Sequence, residues 1–206
     1  MSSTTGDVSL AEQLKGQLKP PRWTPAMFRA ACNAGCFEDM RVELIGGELV
    51  ATTDNPPHMN CVFNAEGALD RLLPKAQWFV AREVSVHFPG WTPIPDLGVH
   101  RGPRDPTYRD RLPTASDAAL IVEVSDTTYL KDRKVKLLRY ALAGIPYCWI
   151  INLERSRVEV YSQPEGGRYR TRQEYGEADE VPVIIDGTHY GTIPVREILP
   201  TKRAGQ

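Results

Sequence analysis

The residue that most demands an explanation is Glu123, the single acid inside the apolar run Ala118-Ala-Leu-Ile-Val-Glu-Val124. Such a run suits a strand covered on both faces. A carboxylate in that position has to be hydrogen-bonded, ion-paired or bound to a cation, because a buried charge without a partner is costly. A second acid, Asp96, lies 27 residues earlier, after Pro95 in the short segment Ile94-Pro-Asp-Leu-Gly-Val99. Two carboxylates meeting at neighbouring strand ends suit a hard divalent cation. Mg²⁺ takes one or two protein carboxylates and completes its shell with water and substrate phosphate. The helix expected after Glu123 then sets five cations, Lys131, Arg133, Lys134, Lys136 and Arg139, against one acid, Asp132, a local charge of +4.

Each of these residues also has an ordinary structural reading. Glu123 could be a core acid tied to Arg82 or to a lysine of the following helix. Asp132 and Lys136 have the i,i+4 spacing of a surface pair. Asp96 could be a turn or cap acid, His58 an N-terminal helix residue, and the basic run a solvated face. His87, His100 and His189 form no pattern.

The elements that must position these groups are legible in outline. Thr24-Pro25 reads as an N-cap and first-turn proline, opening a helix to about Cys32 that stops near Gly35. Arg41 to Ala51 reads as two short strands joined by Gly46-Gly47, a hairpin turn that needs positive φ. That register sets Ile45 opposite Glu48 and Glu43 opposite Val50, so Glu43 and Glu48 share a face. A helix from His58 to Leu73 ends at Pro74, and Trp78 to Phe88 alternates like a strand with one wet face. Residues 101–117 read as a polar surface loop. Beyond Glu123, Ser125 to Thr128 offer N-caps for a helix to about Ala143, with Val135, Leu138 and Leu142 on one stripe. Tyr147 to Leu153 is a further apolar strand, which makes 118–153 a β-α-β crossover. Arg157 to Tyr161 hairpins back from it, and the rest reads as short strands and a terminal turn.

The class is therefore α/β (or α+β), with a mixed central sheet, an N-terminal helix and a β-hairpin. The expected organisation is a flexible arm at 1–20, one domain over 21–200 and a tail at 201–206. At 206 residues, 41% hydrophobic and 25% charged, the chain needs no disulfide staple and is not of a disordered or fibrous class. Cys32, Cys36, Cys61 and Cys148 lack zinc-ligand spacing and read as free thiols. A net charge of -1 gives no whole-molecule attraction to nucleic acid or membrane, so any such contact needs a local basic face. With no run of membrane-span length and no signal-peptide core, the expected address is cytoplasmic.

The ordered set Val42-Glu-Leu-Ile-Gly-Gly-Glu48, Pro56-Pro57-His58, Pro95-Asp96 and Leu120-Ile-Val-Glu-Val-Ser-Asp-Thr-Thr128 resembles the Uma family of the PD-(D/E)XK restriction-endonuclease-like superfamily. Asp132-x-x-x-Lys136-x-x-x-Tyr140 and Ala143-Gly-Ile-Pro146 with Trp149 extend the likeness, which runs from about Trp23 to Tyr169. The resemblance implies a restriction-endonuclease-like fold of about four to six strands and a metal-dependent endonuclease acting on DNA. Asp96 and Glu123 would then bind Mg²⁺ or Mn²⁺. Ser125 stands where the superfamily places its lysine, which nominates Lys136 as base or charge stabiliser, with Lys134 in reserve. Glu43, Glu48, His58, Ser125 and Asp132 become auxiliary residues, and Lys131, Arg133 and Lys134 nucleic-acid contacts. Many nucleases of this fold act as dimers to cut both strands, so the resemblance leaves a homodimer open without requiring one. The alternative is a weakly active or inactive nuclease-fold protein serving in nucleic-acid binding or assembly. One position departs from the pattern: Tyr147 stands where the family has an acid after Gly-Ile-Pro, and the consequence depends on whether that acid supports the site.

Overall fold

The computed structural model describes residues 22–37, 41–52, 56–88, 91–125 and 130–200, with the side chains at 41, 43, 45, 51, 52 and 130–134 outside the description. Two pieces precede the central sheet in the chain and share a small apolar cluster: helix α1 (Pro25–Asn33), and the hairpin β1 (Arg41–Ile45) and β2 (Glu48–Thr52). Helix α2 (Pro56–Leu72) leads into strands β3 (Trp78–Arg82) and β4 (Leu97–Arg101). A helical turn α3 (Arg104–Thr107) precedes β5 (Ala118–Ser125), helix α4 (Leu130–Leu142) and β6 (Tyr147–Asn152). Strands β7 (Arg157–Glu165), β8 (Arg168–Gly176), β9 (Glu180–Ile185) and β10 (Thr188–Pro194) follow, and α5 (Val195–Ile198) closes the described chain.

Strands β3 to β8 form one six-stranded sheet in sequence order. Neighbours are antiparallel except β5 and β6, which are parallel and joined by α4. A parallel pair needs a crossover long enough to return the chain, and α4 supplies it. The architecture is thus the mixed α/β sheet with flanking helices expected from the sequence.

Local signals act where they were read. The Thr24 hydroxyl accepts from the Met27 amide at 3.2 Å, with Pro25 in the first turn of α1. Gly46 and Gly47 take φ +62° and +88°, and the hairpin keeps Ile45 opposite Glu48 and Glu43 opposite Val50. Strand β5 is buried from Ala118 to Val124. Its Leu120, Val122 and Val124 pack in one cluster with Cys61, Ala65 and Leu69 of α2 and with apolar residues of β9, β10 and α5. Ile121, on the opposite face, joins Tyr140, Ile145, Cys148, Ile150, Phe88 and Trp91. Among the described residues no helix is long and apolar enough to cross a membrane.

Three elements differ from the expectation. The strand expected over Trp78–Phe88 stops at Arg82, because Glu83 takes φ +54° and turns its N–H to the Asp96 carbonyl at 3.2 Å. Within 101–117, Arg101 extends β4 and Arg104–Thr107 forms α3, so the segment is not all loop. The stripe Val135, Leu138 and Leu142 of α4 is exposed at 38%, 48% and 66%, while Tyr140 and Ala141 are buried. Tyr140, Lys136 and Leu137 take the sheet-facing side, while Leu138 and Leu142 lie close over Gly167 in the β7–β8 turn. The arm at 1–20 and the tail at 201–206 lie outside the described residues.

Candidate active site

The site forms where the sheet forks. Strand β5 pairs with β4 only as far as Val122 opposite Leu97, but stays paired with β6 through Ser125 opposite Asn152. Glu123, Val124 and Ser125 therefore run past the start of β4. The Val124 N–H has no β4 ladder partner there, and the Asp96 carboxylate takes it, Oδ2 accepting at 2.7 Å. Asp96 thus stands at the amino end of antiparallel β4, beside the carboxyl ends of the parallel pair β5 and β6, at the crevice where the sheet forks. Asp96 and Glu123 are 4% and 7% exposed.

Glu123 is held by α4. Its Oε1 accepts from the Tyr140 hydroxyl at 2.6 Å and its Oε2 from Lys136 Nζ at 3.2 Å. Lys136 and Tyr140 are one helical turn apart, so one face of α4 delivers both donors. The Tyr140 ring is wedged 5.1 Å from Trp91 and 6.0 Å from Phe88, centroid to centroid, which fixes the hydroxyl's direction. Of the two partners open to Glu123 in the sequence, the lysine is the one found: Arg82 pairs instead with Glu66 at 3.3 Å.

Asp96 receives a second approach from the first turn of α2, where His58 Nε2 lies 3.4 Å from Oδ2, an ion pair when the imidazole is protonated. Two buried thiols border the acids. Burial, and then the Asp96 charge, push the Cys61 thiol up to about 12. Burial followed by Glu123 raises Cys148 well above the ordinary range, with Lys136 opposing. Neither is a thiolate near neutral pH, which excludes both as nucleophiles.

Other sequence-nominated residues sit elsewhere. Ser125, half-buried, ends β5 on the Glu123 side of the sheet by alternation, and its carbonyl accepts from the Leu153 amide at 3.0 Å. Glu48 is exposed on the β1–β2 hairpin. The side chains of Glu43, Lys131, Asp132, Arg133 and Lys134 lie outside the described residues. Tyr140 was visible in the motif but carried no assigned role; its signal was the four-residue spacing from Lys136. Glu159, 1% exposed, is a buried acid the sequence reading passed over. It lies on β7 across Ile150 from Glu123, accepts from the Tyr161 hydroxyl at 2.7 Å and pairs with Arg172 at 3.3 Å.

Tyr147 faces Leu120 across the β5–β6 ladder and packs with the Leu120–Val122 cluster, on the sheet face opposite Glu123. An acid at that position would not point into the crevice.

Among the described residues, no three His, Cys, Asp or Glu side chains group as a cation cage. Two buried carboxylates are nonetheless the right donors for a hard cation that brings its own water and takes a substrate phosphate oxygen. The residues fit such an ion and do not fit a preformed structural site.

A solved structure from Anabaena variabilis, described as a "putative nuclease belonging to DUF820", shares this fold. It matches with a TM-score of 0.61 at 15% identity, over 78% of this chain and 90% of its own. Among curated proteins, none matches the chain. The family model described as "Putative restriction endonuclease" matches residues 27–189, a span that contains Asp96, Glu123, Lys136 and Tyr140. The chain therefore belongs to the Uma2 family.

Proposed function

We propose that the protein is a divalent-cation-dependent endonuclease hydrolysing DNA phosphodiester bonds at the Asp96–Glu123 crevice. The observation that carries this reading is that two buried acids stand at the fork of the sheet, Asp96 bonded to the backbone of the residue after Glu123 and Glu123 held by a lysine from the next helix. Asp96 and Glu123 would hold Mg²⁺ or Mn²⁺. When bound, the cation supplies positive charge at a phosphate oxygen and makes a water molecule acidic enough to attack. The chain's own residues do the rest. Tyr140 fixes the direction of the Glu123 carboxylate, and the Val124 N–H fixes Asp96. The Lys136 side chain is only 14% exposed, and its Nζ would offset the charge that develops on the phosphate, while His58 would border the substrate side of Asp96. DNA as substrate follows from the family's description, and the Lys131–Lys134 cations are the proposed backbone contacts.

The test is cleavage of plasmid and linear DNA with Mg²⁺, Mn²⁺ or a chelator, comparing wild type with Glu123→Gln and Lys136→Met. Cation-dependent cleavage that drops by about 100-fold or more in each variant supports the site. Cleavage unchanged in Glu123→Gln would sink it. The second reading, a nuclease-fold protein that binds nucleic acid without cutting, draws on both Glu123 oxygens already having donors. It predicts DNA binding, no cleavage with any divalent ion, and no effect of Glu123→Gln on affinity.

A further inference from the structure

Beside the crevice, α2 and β3 carry a pair of side chains that the cleavage chemistry leaves unused. The Arg82 guanidinium carbon lies 4.2 Å from the centre of the Phe63 ring, and Glu66 holds the guanidinium at 3.3 Å. Phe63 is nevertheless 47% exposed, and Met59, one turn earlier, 44%. The core side of α2 is already filled by Cys61, Val62, Ala65, Ala68 and Leu69, so these two apolar residues project elsewhere.

Two links place the pair at the site. Arg82 is the cross-strand partner of Leu97, the residue after Asp96, and the next amide along, from Glu83, donates to the Asp96 carbonyl. His58, which touches Asp96, directly precedes Met59 on the helix.

An exposed ring backed by a fixed guanidinium is a surface on which a nucleobase stacks, whatever its identity, because every base offers a π-face. A base inside a duplex keeps its faces against its neighbours, so this surface selects an unpaired one. Glu66 neutralises Arg82, which makes the contact one of stacking and not of phosphate capture. We infer that Phe63, backed by Arg82, is the stacking platform for an unpaired nucleobase of the strand entering the Asp96–Glu123 crevice, which makes single-stranded or frayed DNA the preferred substrate. The inference rests on the nuclease reading for the identity of that strand.

The experiment uses a single-stranded oligodeoxynucleotide carrying 2-aminopurine, whose emission falls when the base stacks, titrated in chelator so that nothing is cut. Wild type should bind with loss of emission. Phe63→Leu should weaken binding about 5- to 100-fold and abolish the emission change, while Phe63→Tyr keeps both. The fully paired duplex should bind all three proteins alike. Phe63→Leu behaving as wild type, or wild type failing to bind the single strand, overturns the platform. Cleavage with Mg²⁺ is scored separately. Stacking without cleavage upholds the platform and removes the nuclease reading; cleavage indifferent to Phe63→Leu does the reverse.

Discussion

The side chain of Asp96 and the backbone of Val124 are joined by a 2.7 Å hydrogen bond, so the first acid of the crevice is fixed by the strand that carries the second. That bond makes Asp96 structural as well as chemical. Asp96→Ala leaves a buried N–H without its acceptor, at a cost of about 1–3 kcal/mol. Asp96→Asn keeps an acceptor oxygen and should unfold in urea close to wild type, yet lose cation-dependent cleavage as fully as the alanine variant. An asparagine variant that cuts DNA normally would remove Asp96 from the chemistry.

Lys136 and Tyr140 act on one carboxylate, so their effects should not add. In a double-mutant cycle of Lys136→Met and Tyr140→Phe, read by urea denaturation, the coupling should amount to about 0.5–3 kcal/mol. Simple additivity would mean that the two donors stabilise Glu123 independently.

His100 predicts an acid-sensitive fold. Burial between Phe79 and Tyr108 lowers its imidazole to about 4 from 6.5, with the nearby Asp117 charge acting the other way. Between those values the unfolded chain takes up a proton that the folded chain refuses, so stability falls as pH drops through the window. The loss from pH 7 to pH 5 should be about 2 kcal/mol. His100→Gln should flatten that limb of the urea-midpoint profile. Asp117 does not confuse the result: Arg111 holds its carboxyl below the usual range, and that contribution disappears only in stronger acid.

An acid placed at position 147, Tyr147→Glu, should not raise cleavage, because that position packs on the sheet face away from Glu123. It should cost about 1–3 kcal/mol instead, by setting a carboxylate against the Leu120–Val122 cluster. A gain in activity would show that the two faces communicate.

The burial of Glu123 and the strand-end position of Asp96 were legible for a general reason: an acid in a continuous apolar run contradicts its surroundings, and an acid after a proline marks a strand end. The β-α-β crossover and the β1–β2 hairpin were legible because their punctuation is local, Gly46-Gly47 in one and Gly144 with Pro146 in the other. What the sequence hid was set by tertiary competition. The sheet-facing side of α4 could not be chosen from periodicity, since Tyr140 and Lys136 displace the more apolar Leu138 and Leu142 from it. The break after Arg82 depends on a left-handed φ at Glu83, a residue type that gives no warning of it. The partner of Glu123 was undecidable in sequence because Arg82 and a helix lysine were equally eligible, and only the position of Glu66 settles it.

The crossover that carries Glu123 also has a consequence for how the site comes into being. Lys136 and Tyr140 reach Glu123 across only 13 and 17 residues, whereas the Asp96 bond to Val124 spans 28 and requires β4 to have paired. Short loops close at lower entropic cost. One half of the crevice is thus written into a single stretch of chain that carries its own helix, and the other half exists only where β4 is paired with that stretch.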